Sequence, residues 1–237
     1  MIEARYDLAT EIAGHDFYTW LVIAASRGAE RVVFGIDRPK ETKWPRETVL
    51  QRFRSIMEPG PALARLPYRI GTGGTAGFAS PHMMDLVPFC KAGGKIARLR
   101  SVRPPGDVRF TVTLRHEPRI RDMNSDAGAW RRFAAEIGAE VIEDYNDAPI
   151  ELHEKLALYA GARMNFGVVN GPMHLLTLTE YPVTIFKANV SAPNLAKHGI
   201  PTATQLPWAR PHQRLVWEDD TYDNLMRYFE AQHAEAA

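Results

Sequence analysis

The chain has 237 residues, of which 45% are hydrophobic and 24% are charged, as expected for one large or two small folded domains. Its 29 lysines and arginines nearly balance its 28 aspartates and glutamates, and the formal net charge of +1 argues against a nucleic-acid-binding protein. The single cysteine, Cys90, excludes an internal disulfide and a cysteine-rich zinc site.

The first half of the chain has the pattern of an α/β unit. Apolar residues at helical spacing predict a helix over 16–27, and Gly28 follows as a stop signal. The apolar, β-branched run 31–36 predicts a buried strand, which places Asp37 at its carboxyl end. A second helix is predicted over 44–57. Asp37 is therefore expected at the edge of the sheet where α/β proteins bind ligands.

Residues 60–106 carry a weaker pattern. The glycine-rich segment GTGGTAG at 71–77 follows no convincing strand and lacks the Lys-Ser/Thr ending of a Walker loop. This favours a flexible loop, with contact to a ligand as the alternative. The breaker sequence Arg103-Pro104-Pro105-Gly106 then predicts a boundary between residues 1–105 and residues 106–237.

The second half alternates strands and helices. Runs rich in β-branched residues predict strands over 108–114, 140–142, 164–169, 182–186 and 215–218. Helical patterns cover 126–137, 149–160, 171–177 and 221–233. This alternation predicts a parallel sheet with right-handed crossovers. Ligands of such sheets bind outside the carboxyl ends of the strands.

Three of these strand ends carry residues that suit an anionic ligand. Arg115 follows the first strand of this half, Asp144 follows the second, and Asn170-Gly171-Pro172 follows the third. Since the carboxyl ends of parallel strands share one edge of a sheet, we expect these residues to lie near one another. An arginine in this position holds phosphate through two parallel hydrogen bonds.

The turn after the third strand has its own physical meaning. Gly171 permits close approach to the backbone, and Pro172 suits the first turn of a helix. The N–H groups of Met173 and His174 are then expected to be open toward a bound phosphate. The alternative is that the tripeptide is only a tight connection between a strand and a helix.

Several pieces of the second half together resemble a known family. They are TLRH at 113–116, Asn124 followed by Trp130, EVIED at 140–144, ELHEKLALYAGA at 151–162 and FGVVNGPMHLLTLTEYPVTIFK at 166–187. Over residues 112–187 the chain resembles the donor-binding half of GT-B-type glycosyltransferases, particularly compact ones associated with bacterial surface-polysaccharide synthesis. The resemblance implies an α/β fold of two Rossmann-like halves with parallel sheets and a cleft between them. It makes 1–105 the acceptor side and 106–237 the nucleotide-sugar side.

The resemblance also implies roles for individual residues. Arg115 would neutralise the departing diphosphate, and Asp144 would lie near the nucleoside. Further substrate-binding residues would be Asn124, Asn170, Gly171, Met173 and His174. The family needs no obligatory metal ion, and we expect no metal and no cofactor here.

Other charged residues extend this site. Arginines are dense over 98–121, and Arg119 is the best further candidate for a diphosphate or lipid-phosphate ligand. By analogy with the family, Glu180 would bind a sugar hydroxyl. The ordinary alternative for both side chains is a solvated surface.

An acceptor hydroxyl needs a base, usually a histidine or a carboxylate. The first half offers His15, Asp16 and Asp37, and Asp37 is the best placed because it lies at a strand end. Its ordinary alternative is a turn cap.

Three functions remain open at this point. The first is transfer of a sugar from a nucleotide-sugar donor to a glycan or lipid-linked acceptor. The second is a nucleotide-sugar epimerase on the same fold, and the third is a non-catalytic protein that binds a nucleotide-sugar or a partner. The longest apolar run, 20–25, is far shorter than the roughly 20 residues that span a bilayer, and no secretory signal is evident. We therefore expect a cytoplasmic protein, with contact at the inner membrane face and homodimer formation left open.

Overall fold

Both halves of the chain alternate strands and helices in a computed structural model that describes residues 1–39, 45–79, 82–117, 121–143 and 150–234. Over these residues the eight strands are β1 (Glu3–Asp7), β2 (Arg31–Gly35), β3 (Tyr68–Ile70), β4 (Phe110–Leu114), β5 (Glu140–Glu143), β6 (Met164–Val168), β7 (Val183–Phe186) and β8 (Gln213–Leu215). The nine α-helices of the same residues are α1 (Phe17–Ser26), α2 (Arg46–Arg52), α3 (Gly60–Leu63), α4 (Leu86–Lys91), α5 (Ala127–Ile137), α6 (Leu152–Gly161), α7 (Gly171–Thr177), α8 (Ala192–Lys197) and α9 (Tyr222–Ala234). Helix α2 continues into a π-helical turn, Phe53–Met57. Among the described helices, none has an apolar stretch of bilayer-spanning length.

The chain forms two compact units. The first unit contains residues 1–103 and the short stretches 151–156 and 178–180, and the second unit contains 104–150, 157–177 and 181–237. The sequence predicts a single boundary between residues 105 and 106. In the structure the chain passes from one unit to the other between Arg103 and Pro104, and two later stretches also belong to the first unit.

The described part of the first unit has a sheet of three parallel strands in the order β1-β2-β3. Eight of the ten residues of α1 are buried, because the helix is apolar on all sides. The rings of Tyr6 and Phe34 from the sheet pack against Phe17 of this helix. The predicted helix over 16–27 and the predicted strand over 31–36 are confirmed, each within one residue at either end.

Charged residues occupy one face of this sheet. Glu3 accepts hydrogen bonds from Arg31 at 3.2 Å and from Arg69 at 2.8 Å. Arg5 pairs with Asp7 at 2.6 Å. Each of these charged side chains thus has a partner of the opposite sign, which offsets the cost of its partial burial.

The glycine-rich segment 71–77 is tied to this charged face. The guanidinium of Arg5 donates to the carbonyl oxygens of Gly71 at 3.0 Å and Gly73 at 3.3 Å. Thr75 then forms a parallel bridge to β1. The sequence predicts a flexible loop here, and the structure shows instead a segment bound to the sheet by hydrogen bonds.

The described part of the second unit has a sheet of five parallel strands in the order β5-β4-β6-β7-β8. The strand order changes direction between β4 and β6, as in doubly wound folds. The predicted strands over 108–114, 140–142, 164–169 and 182–186 are confirmed as β4 to β7. The strand predicted over 215–218 is displaced, since β8 ends at Leu215. An α/β fold with parallel sheets is thus confirmed for both units.

Aromatic residues form the core of the second unit. Phe110 of β4 and Phe166 of β6 are buried against Trp130 and Phe133 of α5, and Leu225 of α9 completes the cluster. Helices α5 and α9 thereby fix the sheet whose carboxyl edge carries the predicted site.

Candidate functional site

The switch in strand order brings two of the predicted strand ends together. Ligands of doubly wound sheets bind at such a switch point, here between β4 and β6. Arg115 directly follows β4, and its Nη1 donates a hydrogen bond of 2.5 Å to the carbonyl oxygen of Val169, which directly follows β6. The guanidinium therefore lies against the residue that precedes the Asn170-Gly171-Pro172 turn, as the sequence predicts.

Arg115 is a partly buried cation. Desolvation lowers the pKa of its guanidinium, and the negative charge of Glu117 acts in the opposite direction. Arginine nevertheless stays protonated at neutral pH. A partly desolvated charge that is always present attracts an anion more strongly than a fully solvated one, because less water screens it.

The backbone around Arg115 is held by the other end of the β4–α5 loop. The Arg115 N–H donates to Ser125 Oγ at 2.9 Å, and the Ser125 N–H donates back to the Arg115 carbonyl at 3.1 Å. Asn124 binds both backbone groups of Glu117, accepting from its N–H at 2.7 Å and donating to its carbonyl at 3.1 Å. The side chain of Asn124, predicted to bind substrate, therefore shapes the loop that carries Arg115.

The start of α7 differs from the prediction. Asn170 Oδ1 accepts the N–H of Met173 at 2.8 Å, and the Asn170 carbonyl accepts the N–H of His174 at 2.9 Å. The expectation that these two N–H groups are open to a phosphate is therefore wrong. The physical reason is that the Asn170 side chain caps the helix at Met173, while the N–H of His174 makes the first ordinary helical bond, to the carbonyl four residues earlier.

The side chains of Met173 and His174 are packed in the interior. A Cβ on Gly167 of β6 would lie 2.8 Å from the Met173 sulfur, so this glycine makes room for the methionine. Met173 is fully buried and His174 is 9% exposed. Both residues therefore fix α7 against the sheet and place Asn170 and Gly171 at its edge.

An ion pair of a buried aspartate and a partly buried lysine, which the sequence pattern does not predict, lies at the same edge. Lys187 directly follows β7, and its Nζ lies 3.0 Å from Asp220 Oδ1. The same Nζ donates to the carbonyl oxygen of Asn124 at 2.8 Å. Nothing local in the sequence pairs Lys187 with Asp220.

The candidate bases lie in the first unit. Asp37 is exposed on a bend after β2, and its carbonyl oxygen accepts a hydrogen bond from Arg46 at 3.4 Å. Asp16 lies directly before α1. Although much of the residue is accessible to solvent, protein atoms crowd its carboxylate, and this desolvation raises the pKa of Asp16. The positive charge of His82 acts in the opposite direction.

Three further residues are predicted to bind substrate: Glu180, Arg119 and Asp144. Glu180 belongs to the first unit and forms an ion pair with Arg98 at 3.5 Å. Arg119 and Asp144 lie outside the described residues. Within the described ranges, no group of three or more histidine, cysteine, aspartate or glutamate side chains is arranged to hold a metal ion.

The comparisons with known proteins add no relative. No protein family, curated protein or solved structure matches this chain.

Proposed function

We propose that this chain is a glycosyltransferase acting in the cytoplasm, and that its second unit binds the nucleoside diphosphate of a nucleotide-sugar donor. The observation that supports this most is the position of Arg115 at the switch point of the five-stranded sheet, with its guanidinium against Val169. Switch points are the ligand sites of doubly wound sheets, and arginine suits a phosphate ligand. The proposal includes the GT-B arrangement implied by the resemblance, with the acceptor bound by the first unit.

Arg115 has the chemistry that such a reaction needs. Negative charge accumulates on the diphosphate as the bond to the sugar breaks. A cation already fixed in place stabilises this charge without reorganising during the reaction, which is usually the largest contribution to catalysis. The hydrogen bonds to Ser125 and Val169 provide the fixation.

Asn170 supplies a second donor to the same anion. Its Oδ1 faces the N–H of Met173, so the amide orientation is set and Nδ2 lies on the opposite side of the group. Nδ2 carries two N–H donors, which suit an anion. In this proposal the helix start thus acts through the Asn170 side chain.

The acceptor base is assigned to Asp16 in preference to Asp37. A general base works best when its pKa is close to the working pH, and desolvation moves the pKa of Asp16 in that direction. Asp16 and Asp37 are both exposed residues, so exposure does not choose between them.

Calorimetric titration with UDP, GDP, ADP and CMP tests the donor site. At least one nucleotide should bind wild-type protein, and at 100 times its dissociation constant it should stabilise the fold by about 2.7 kcal/mol. Arg115→Ala removes a charge-assisted hydrogen-bond donor, so the Kd should rise by roughly 10–100-fold. Arg163→Ala is the matched control, because Arg163 is an exposed arginine at the amino end of β6.

The products then separate the three functions. Incubation with the nucleotide-sugar should release nucleoside diphosphate by transfer or slow hydrolysis. An epimerised sugar that is still attached to its nucleotide would show an epimerase instead. Binding with neither product would show a non-catalytic binding protein, and equal affinities of wild-type and Arg115→Ala protein would remove the proposed donor site.

A further inference from the structure

We infer that the ion pair of Lys187 and Asp220 positions Arg115, through the backbone on either side of Ser125. Lys187 and Asp220 are thus positioning residues for the donor site; the functional part of this inference rests on the proposed function, whereas its structural part stands without a ligand. The polar contacts that carry it all lie within the second unit.

Asp220 is the centre of these contacts. Its residue is 3% exposed, so its carboxylate has little access to water. Oδ2 accepts the N–H of Asp126 at 2.8 Å and the indole N–H of Trp130 at 2.7 Å, while Oδ1 faces Lys187 Nζ at 3.0 Å. A buried carboxylate is tolerated only with such partners, so its position follows theirs.

Lys187 connects this carboxylate to the loop after β4. Its backbone has a φ of +58°, in the left-handed region that non-glycine residues seldom adopt. Its N–H donates to the carbonyl of Glu218 at 3.2 Å, and its Nζ donates to the carbonyl of Asn124 at 2.8 Å. The unusual backbone directs the side chain of Lys187 from the end of β7 to the β4–α5 loop.

The contacts reach Arg115 in one further step. The Asn124 carbonyl and the Asp126 N–H belong to the two peptide groups that flank Ser125, and Lys187 and Asp220 hold one each. Ser125 in turn exchanges two hydrogen bonds with the Arg115 backbone. Fixing both peptide groups around Ser125 therefore fixes the point from which the guanidinium extends.

Single substitutions at Lys187 and Asp220 test the ion pair. Lys187→Met and Asp220→Asn remove the ion pair, and an amide oxygen at position 220 still accepts from Asp126 and Trp130. Arg131→Met is the matched control, because it removes an exposed ion pair with Glu143 in the same unit and leaves Lys187 and Asp220 in place.

Two measurements read the result. Hydrogen exchange of the Arg115 and Ser125 amides, without ligand, should become about tenfold faster in Lys187→Met and Asp220→Asn protein and should stay unchanged in Arg131→Met protein. The Kd of the nucleotide found for wild-type protein should rise about tenfold in the first two variants only, as is typical when a support of a binding residue is lost.

The double variant Lys187→Met/Asp220→Asn separates positioning from general stability. Without either charge its melting temperature should recover relative to Lys187→Met, which leaves a carboxylate unpaired. Exchange should stay fast and nucleotide binding weak. If slow exchange and tight nucleotide binding returned together with the melting temperature, the inference would be overturned. Unchanged exchange in the single variants would also overturn it. If wild-type protein binds no nucleotide, the proposed donor site fails, and the exchange rates still decide whether the ion pair holds Arg115.

Discussion

At the scale of single residues, Asn170 determines which atoms of the α7 start face a ligand. Its Oδ1 and its carbonyl oxygen hold the N–H groups of Met173 and His174. An anion at this edge therefore meets the Asn170 amide before it meets the helix backbone. The strand-end rule predicts the place of this site, and the capping preference of asparagine could have predicted the occupied donors.

Other residues of the site carry no local signal. Lys187 and Asp220 are far apart in the chain, and each alone is a residue type that ordinarily lies on the protein surface. The predicted strand over 182–186 already places Lys187 at the carboxyl edge of the sheet, but nothing in the sequence pairs it with Asp220. Charge pairs of this kind follow from topology, which a single sequence does not contain.

Asn170→Asp tests the anion site without removing the cap. Aspartate caps helices as well as asparagine does, and its charge suits the helix dipole, so the melting temperature should stay near that of wild-type protein. The same charge repels a diphosphate, and the Nδ2 donor is lost. The nucleotide Kd measured by calorimetry should therefore rise by about tenfold or more, equivalent to at least about 1.4 kcal/mol.

Asn170→Ala gives the comparison. It removes both the cap and the donor, so it should lower stability by about 1 kcal/mol as well as weaken binding. Undiminished nucleotide affinity in the aspartate variant would exclude Asn170 from the donor site.

At the scale of elements, prediction succeeded where apolar residues are continuous. Strands β2, β4, β6 and β7 are buried on both sides and have runs of β-branched and aromatic residues. Strand β1, with the sequence EARYD, was not predicted, because three of its five residues are charged. Those charges are stabilised by partners on β2, β3 and the 71–77 segment, which no local pattern reveals.

Glu3 links this charged sheet face to acid stability. The hydrogen bond from Arg69 is the main cause that lowers the pKa of Glu3 below its ordinary 4.5; desolvation opposes it, and Arg31 adds to the lowering. A carboxyl with a lowered pKa in the folded state stabilises the fold above 4.5, and this contribution is lost as the pH falls through the lowered value. Glu3→Gln should therefore make urea unfolding midpoints less dependent on pH below about 5.

Glu47→Gln is the control for this experiment, since Glu47 is an exposed residue of α2 in the same unit. Its variant should follow the wild-type pH dependence. If Glu3→Gln protein follows it as well, the Arg31–Glu3–Arg69 contacts do not contribute to acid stability.

At the scale of the whole molecule, the proposal divides the reaction between the two units. Arg115 and Asn170 belong to the second unit and Asp16 belongs to the first. In the proposed reaction the former two would act on the donor and the latter on the acceptor. Substitutions in the two units should therefore lower the signal in different assays. A loss of donor affinity reports on the second unit, and a loss of transfer with donor affinity retained reports on the first.

Asp16→Asn is the variant that tests this division. It should retain wild-type nucleotide affinity and lose most acceptor-dependent transfer, because an amide cannot accept the hydroxyl proton. In wild-type protein the transfer rate should rise with pH as Asp16 loses its proton, and desolvation places this rise above the ordinary aspartate value of 3.8. Asp37→Asn is the matched control and should keep both the rate and its pH profile. In the opposite outcome, Asp37→Asn protein loses transfer and Asp16→Asn protein retains it. That result would identify Asp37, the residue favoured by the sequence pattern, as the base.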